Sequence, residues 1–166
     1  MNDGEGGDGD AGNGHPKGVE LMTDRIEKVI ELSAPVARVW RALTDHKEFG
    51  TWFRVELEGP FVVGRISRGR TTYPGYEGMK WEAMIVAMEA ERLFAFRWCP
   101  YEHEDDRDFS EAPQTLVEFR IEPTSAGTRL VISESGFDGL PDDKRRLDAL
   151  RSNTQGWEEQ MRSLAA

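Results

Sequence analysis

The chain has 166 residues, with 21 basic against 31 acidic side chains and a formal charge of −10. That length suits one domain, and the acidic balance excludes the basic face that nucleic acid requires. No apolar run approaches the ~18 residues of a membrane span, the amino terminus lacks the basic-then-apolar pattern of a secretory signal, and the single cysteine, Cys99, excludes an intrachain disulfide framework. The expectation is a cytoplasmic protein.

Residues 1–24 hold seven glycines and six acids against Lys17, so this stretch carries half of the chain's formal charge. With hardly any apolar surface to bury, it cannot offset its ordering entropy and reads as a disordered acidic tail. Met22, just before the first strand signal, is an alternative translation start. The folded domain is expected over 25–166.

RIEKVIEL (25–32) places Ile26, Ile30 and Leu32 at even spacing, a half-buried strand whose apolar face Lys28 interrupts. Ser33 and Pro35 then open a short helix on which Val36, Val39, Trp40 and Leu43 share a face. Thr44-Asp45 restarts a second short helix, expected to stop at Gly50.

From Trp52 to Glu134 the period changes to two. Strands are expected at Phe53–Leu57, Gly64–Thr71, Lys80–Met88, Arg92–Trp98, Gln114–Glu122 and Thr128–Glu134, with MEAER (88–92) and PTSAG (123–127) as hairpin turns. Phe94, Phe96 and Trp98 share one face, as do Thr115, Val117, Phe119 and Ile121, so an antiparallel sheet with one covered side follows. In the strand from Lys80, apolar residues of both parities leave the inward face open.

The cover is the last segment. Leu147, Leu150, Thr154, Trp157, Met161 and Leu164 form one helical seam, with Pro141, Asp142 and Asp143 as its start. Gly156 inside that seam costs about 1 kcal/mol relative to alanine, which suggests that something approaches the helix closely there. A strand, two short helices, six strands and a long helix together enclose apolar volume, an α+β architecture with a curved antiparallel sheet wrapped around the last helix.

The segments APVARVWRALTD, FGTWF, ERLFAFRWCPY, TLVEFRIEPTSAGTRLVISESGFDGLP and NTQGWEEQM resemble the activator of heat-shock-protein-90 ATPase homologue family. That family lies in the START-related, Bet v 1-like superfamily with the helix-grip fold. The resemblance runs from about Arg25 to the end. It implies a hydrophobic cavity between sheet and long helix, and a family that usually extends a few residues beyond Ala166. The eukaryotic activator adds a separate amino-terminal domain that contacts the chaperone; 24 tail residues are too few for it, so a chaperone partner is not carried over. Fold does not fix activity in this superfamily.

Candidate lining positions follow from strand parity. Trp81, Ile85, Phe94, Phe96 and Trp98 are expected to point inward, as are Val117, Phe119, Ile132 and Glu134. Trp157 and Met161 join them from the long helix, Trp40 from the first helix and Trp52 from the start of the next strand. The competing expectation for all of these is a filled core without a ligand. A carboxylate facing that interior needs a partner, and Arg68 or Arg70 is the expected one. YPGYEG (73–78) reads as a turn, with gating of the cavity as the alternative.

Metal and nucleophile chemistry are not expected. YEHEDDRD (101–108) has one histidine and no three-ligand spacing. Cys99 and His103 lack an orienting third group, while His46 reads as a surface or capping residue and His15 lies in the tail. No phosphate loop or nucleophile elbow appears, and the sequence shows no cofactor fingerprint. The expected function is binding of an apolar or aromatic small molecule by a carrier, sensor or accessory protein. A cyclase-like enzyme using Glu134 on a polyketide-type substrate and a chaperone-interacting module are the rivals.

Overall fold

The computed structural model describes residues 25–100, 109–140 and 143–166. The tail 1–24, the acidic run 101–108 with His103, and the expected helix start at Pro141 and Asp142 lie outside the described residues.

Seven antiparallel strands form one sheet: β1 (Arg25–Leu32), β2 (Val55–Leu57), β3 (Ile66–Thr71), β4 (Lys80–Glu89), β5 (Leu93–Trp98), β6 (Thr115–Thr124) and β7 (Gly127–Ser135). Their order is β1-β7-β6-β5-β4-β3-β2. Helices α1 (Val36–Thr44) and α2 (His46–Phe53) follow the first strand, and α3 (Asp143–Ala165) ends the chain. This is the helix-grip arrangement that the resemblance implies. Only β1 and β7 depart from a simple meander: β7 returns to pair with β1, with Ile26 opposite Glu134.

The residues explain these elements. The two-residue turn at Ser125-Ala126 joins β6 to β7, and Glu91, at φ 58, takes the left-handed position in the turn from β4 to β5. In β4 the open question of parity resolves toward Trp81, Ala83 and Ile85, which are buried. A register shift between Ile85 and Ala87 then turns Met88 inward, opposite Phe94.

The second helix differs from expectation. Gly50 does not end it; α2 continues to Phe53, and Arg54, at φ 66, provides the left-handed cap. Trp52 and Phe53 are therefore helical, not the start of a strand. Gly50 is required for another reason: a Cβ there would stand 2.4 Å from the carbonyl oxygen of Val55, where the chain doubles back into β2. Asp45 opens α2 by accepting from the backbone N–H groups of Lys47 and Glu48, each at 3.0 Å. Those bonds hold the Asp45 carboxyl below its ordinary pKa.

The core is aromatic. Phe49 stacks on Phe53 at 4.8 Å and meets Phe61 edge-on at 5.3 Å, while Phe94 stacks on Phe119 at 5.8 Å. Phe49, Phe94, Phe96 and Phe119 are completely inaccessible to solvent. Rings of this size bury 150–250 Å² each, and edge or offset contacts add to that gain. They fill the space between the sheet and the two short helices.

Helix α3 spans about 35 Å at 1.5 Å per residue and lies across the remaining opening. Its apolar row differs from the expected seam at the amino-terminal end: Leu147 is 46% exposed, and Ala149 is buried instead. The helix straddles two neighbours, presenting Leu150 and Thr154 to Ile26 and Lys28 of β1, and Ala149 and Trp157 to the core. Polar bonds fix its position. Gln160 Nε2 donates to the Phe53 carbonyl at 3.0 Å, Ser163 Oγ to that of Trp52 at 2.6 Å, and Lys28 Nζ bonds Glu158 at 2.9 Å. The lysine that breaks the β1 apolar pattern is thus an anchor for α3, and it lowers the Glu158 pKa.

Candidate functional site

Among the described residues Glu134 is the one buried acidic side chain, with no accessible surface. The alternation of β7 puts it on the inward face beside Ile132 and Leu130, as the strand pattern requires. Four side chains donate to its carboxylate. Trp98 Nε1 and Thr115 Oγ1 reach Oε2 at 2.8 and 2.5 Å. Trp157 Nε1 reaches Oε1 at 2.9 Å, and the Asn153 amide spans both oxygens at 3.0 and 3.1 Å. Burial raises the Glu134 pKa, and the bonds from Thr115, Trp98, Trp157 and Asn153 oppose that rise.

The expected arginine partners are elsewhere. Arg68 pairs with Glu82 at 3.1 Å, and Arg70 donates to the Gly78 carbonyl at 3.3 Å. Both lie on the exposed face of β3, opposite buried Ser67 and Gly69. β3 stands four strands from β7 in the sheet, roughly 19 Å at ~4.8 Å per strand. Neutral N–H and O–H donors near at hand satisfy the carboxylate instead.

Beside this buried hub opens a cleft of about 200 Å³, walled by the rings of Phe53, Tyr73, Trp98 and Trp157. Asn153, Gly156, Glu159 and Gln160 of α3 complete it. The three buried-side rings touch one another: Phe53 and Trp98 at 5.9 Å, Trp98 and Trp157 at 5.8 Å, Phe53 and Trp157 at 6.1 Å. Tyr73 belongs to the YPGYEG loop and is tied to α3, its hydroxyl donating to Glu159 at 2.8 Å. That bond raises the Tyr73 pKa. One end of this loop, expected as a turn, therefore reaches the cleft, whereas Tyr76 is exposed.

Of the positions expected to line a cavity, Trp98 and Trp157 do so and Glu134 lies directly behind them. Trp81, Ile85, Phe94, Phe96, Val117, Phe119 and Ile132 belong to the packed core and do not line the cleft, although Trp81 and Phe96 back Trp98 at 6.3 and 5.4 Å and Phe119 backs Trp157 at 5.8 Å. Trp52 is also core; its Nε1 donates to the Ala42 carbonyl at 2.8 Å and pins α2 to α1. Trp40 and Met161 are half-buried against that core. Sequence reasoning did not place Asn153, Glu159 or Gln160 here, and it brought Tyr73 near the cavity only through the gating alternative for its loop. Phe53, like Trp52 open between core and lining in the sequence, lines the cleft from the last turn of α2 rather than from the start of a strand. Gly156 was singled out, and its surroundings are informative: a Cβ at Gly156 would meet no atom within 4 Å.

Cys99 is half-exposed, and His103, with which no catalytic pair was expected, lies outside the described residues. Among the described residues no three His, Cys, Asp or Glu side chains come together to hold a metal ion, and no helix is long and apolar enough to cross a membrane.

Comparison with known proteins agrees with this architecture. A protein of Mesorhizobium loti superposes with a TM-score of 0.65 at 23% identity, covering 85% of this chain and 93% of its own. A protein of Arthrobacter aurescens gives a TM-score of 0.70 at 18% identity over 88% of this chain and 86% of its own. A protein of the dynemicin biosynthetic locus gives 0.65 at 22% identity, covering 86% of this chain but 46% of its own. These likenesses show the fold. No protein of curated function matches the chain in sequence. The family model for activator of Hsp90 ATPase homolog 1-like proteins matches residues 33–166, and the chain belongs to that family.

Proposed function

We propose that the protein binds a small organic molecule in the cleft between Trp98 and α3, as a carrier, sensor or accessory protein. The observation that carries this reading is Gly156. A glycine within a helix costs about 1 kcal/mol relative to alanine, and such a cost needs a compensating role. Gly50, Gly69 and Gly127 have one, since a Cβ at each would come within 2.4 Å of a backbone oxygen. Gly156 has neither a positive φ nor a neighbour; it faces open space in an aromatic cleft. The free volume is kept for something outside the chain.

The chemistry supports binding rather than catalysis. Glu134 is not among the residues lining the cleft, and its oxygens are occupied by donors from four side chains. It orients the two indoles and Asn153, and so shapes the wall against which a ligand rests. The cleft is below the 300–1,000 Å³ of ordinary drug-sized pockets, so it holds a compact molecule or one end of a larger one.

The test is a fragment screen by nuclear magnetic resonance, reading the indole N–H signals of the five tryptophans. Binders should move the Trp98 and Trp157 signals while leaving that of Trp52 in place, and Gly156→Leu should abolish the effect. Binders that move only other indoles, or that persist in the leucine variant, would refute the assignment.

A further inference from the structure

The cleft also carries information about ligand charge, and this inference rests on the binding reading above. We infer that the cleft selects a small organic cation, a quaternary ammonium or alkylated amine, over a neutral molecule of the same shape.

The first argument is the accounting of donors and acceptors in the lining. The indole N–H groups of Trp98 and Trp157 are both used by Glu134. The Asn153 amide N–H₂ group also points to Glu134, and the Gln160 N–H₂ group points to the Phe53 carbonyl. The Tyr73 hydroxyl donates to Glu159. Each of these side-chain donor groups thus makes a bond to a protein acceptor, and the second Gln160 N–H is the side-chain donor left over. Against it stand the Glu159 carboxylate, the amide oxygens of Asn153 and Gln160, and the aromatic side chains of the lining. Among the described residues that balance of acceptors over donors, with one full negative charge, favours a cation over an anion.

The second argument is the wall itself. Four aromatic rings surround the space, and aromatic faces carry the negative lobe of the ring quadrupole. A desolvated cation over an indole gains more than over any other ring, and cages of this kind suit quaternary ammonium groups. Among the described residues no lysine, arginine or histidine lines the cleft. Arg54 stands outside the lining, but its guanidinium lies 5.2 Å from the centre of the Tyr73 ring; it takes one face of that ring and opposes a second cation there, so the attraction rests on Phe53, Trp98, Trp157 and the Glu159 carboxylate. The volume of about 200 Å³ suits an ion of a few heavy atoms, and the acidic chain attracts cations at long range.

The experiment compares choline with its carbon isostere, in which a tert-butyl group replaces the trimethylammonium, on the full-length protein. Choline should bind saturably and shift the Trp98 and Trp157 indole signals, with the isostere at least about tenfold weaker. Glu159→Gln, which keeps a hydrogen-bond acceptor for Tyr73, should weaken choline roughly five- to tenfold more than it weakens the isostere. Equal binding of the two ligands would overturn charge selection while leaving the cleft a binding site. Identical shifts from sodium chloride would also overturn it. So would absence of choline binding up to about 10 mM, an affinity weaker than about −2.7 kcal/mol. Neutral fragments that still moved the same indoles would then confine the failure to the charge inference, and none doing so would remove both.

Discussion

The indole of Trp157 and the carboxylate of Glu134 lie 23 residues apart in the chain and meet at 2.9 Å, both buried. This bond joins the long helix to the last strand of the sheet, and Asn153 repeats the connection one turn earlier. A carboxylate removed from water is costly unless its oxygens are fully hydrogen-bonded. Here the requirement itself sets the rotation of α3 and the tilt of two indoles that wall the cleft.

Replacing Glu134 by leucine should therefore destabilise the protein by about 2–4 kcal/mol, despite removing a buried charge. Two indole N–H groups, a hydroxyl and an amide would be left inside without an acceptor. Urea unfolding checks the loss, and the tryptophan emission of the folded variant should change as Trp98 and Trp157 reorient.

The pH dependence has a definite sign. Burial raises the Glu134 pKa above 4.5, so the folded protein holds this proton more tightly than the unfolded chain. The associated stability is fully present below the unfolded value and is lost as pH rises through the raised folded value. Urea unfolding from about pH 4 upward should show wild type losing stability relative to Glu134→Gln, which does not titrate. A flat difference between the two proteins would show that the folded and unfolded pKa values coincide.

The same substitution should have opposite effects in two helices. Gly156→Ala meets open space and should stabilise by about 0.5–1 kcal/mol. Gly50→Ala meets the Val55 carbonyl oxygen at 2.4 Å and should destabilise by about 2 kcal/mol. Thermal melts of the pair distinguish a glycine held by packing from one held by the cleft.

Lys28→Gln should shift the urea midpoint only slightly, because the bridge to Glu158 is partly exposed and each charge remains hydrated when alone. The effect should shrink further at high salt.

The seven strands and three helices were legible because periodicity changes sharply, from helical in Val36–Leu43 to alternating in Thr115–Ile121 and back in α3. The inward placement of Glu134 was legible for the same reason. Its partners were not: strand parity gives the direction of a side chain but not the identity of its neighbours across a sheet, so a charged partner was assigned where neutral donors suffice. The start of the α3 seam was misread because Leu147 fits the helical spacing although the sheet no longer lies beneath it. Glu159 and Gln160 could not be found from pattern, and the contact of Tyr73 with them could not either, since the cleft forms where a loop meets a helix 86 residues later. Gly156 was the one local signal, a helix breaker inside an otherwise regular row.

The most direct measurement is native mass spectrometry of wild type and Gly156→Leu, purified side by side and compared with their denatured masses. A small molecule retained by the native wild type and missing from the leucine variant, with both proteins equally folded, is the predicted result. The same adduct on both proteins would place the ligand elsewhere and contradict the assignment of this cleft.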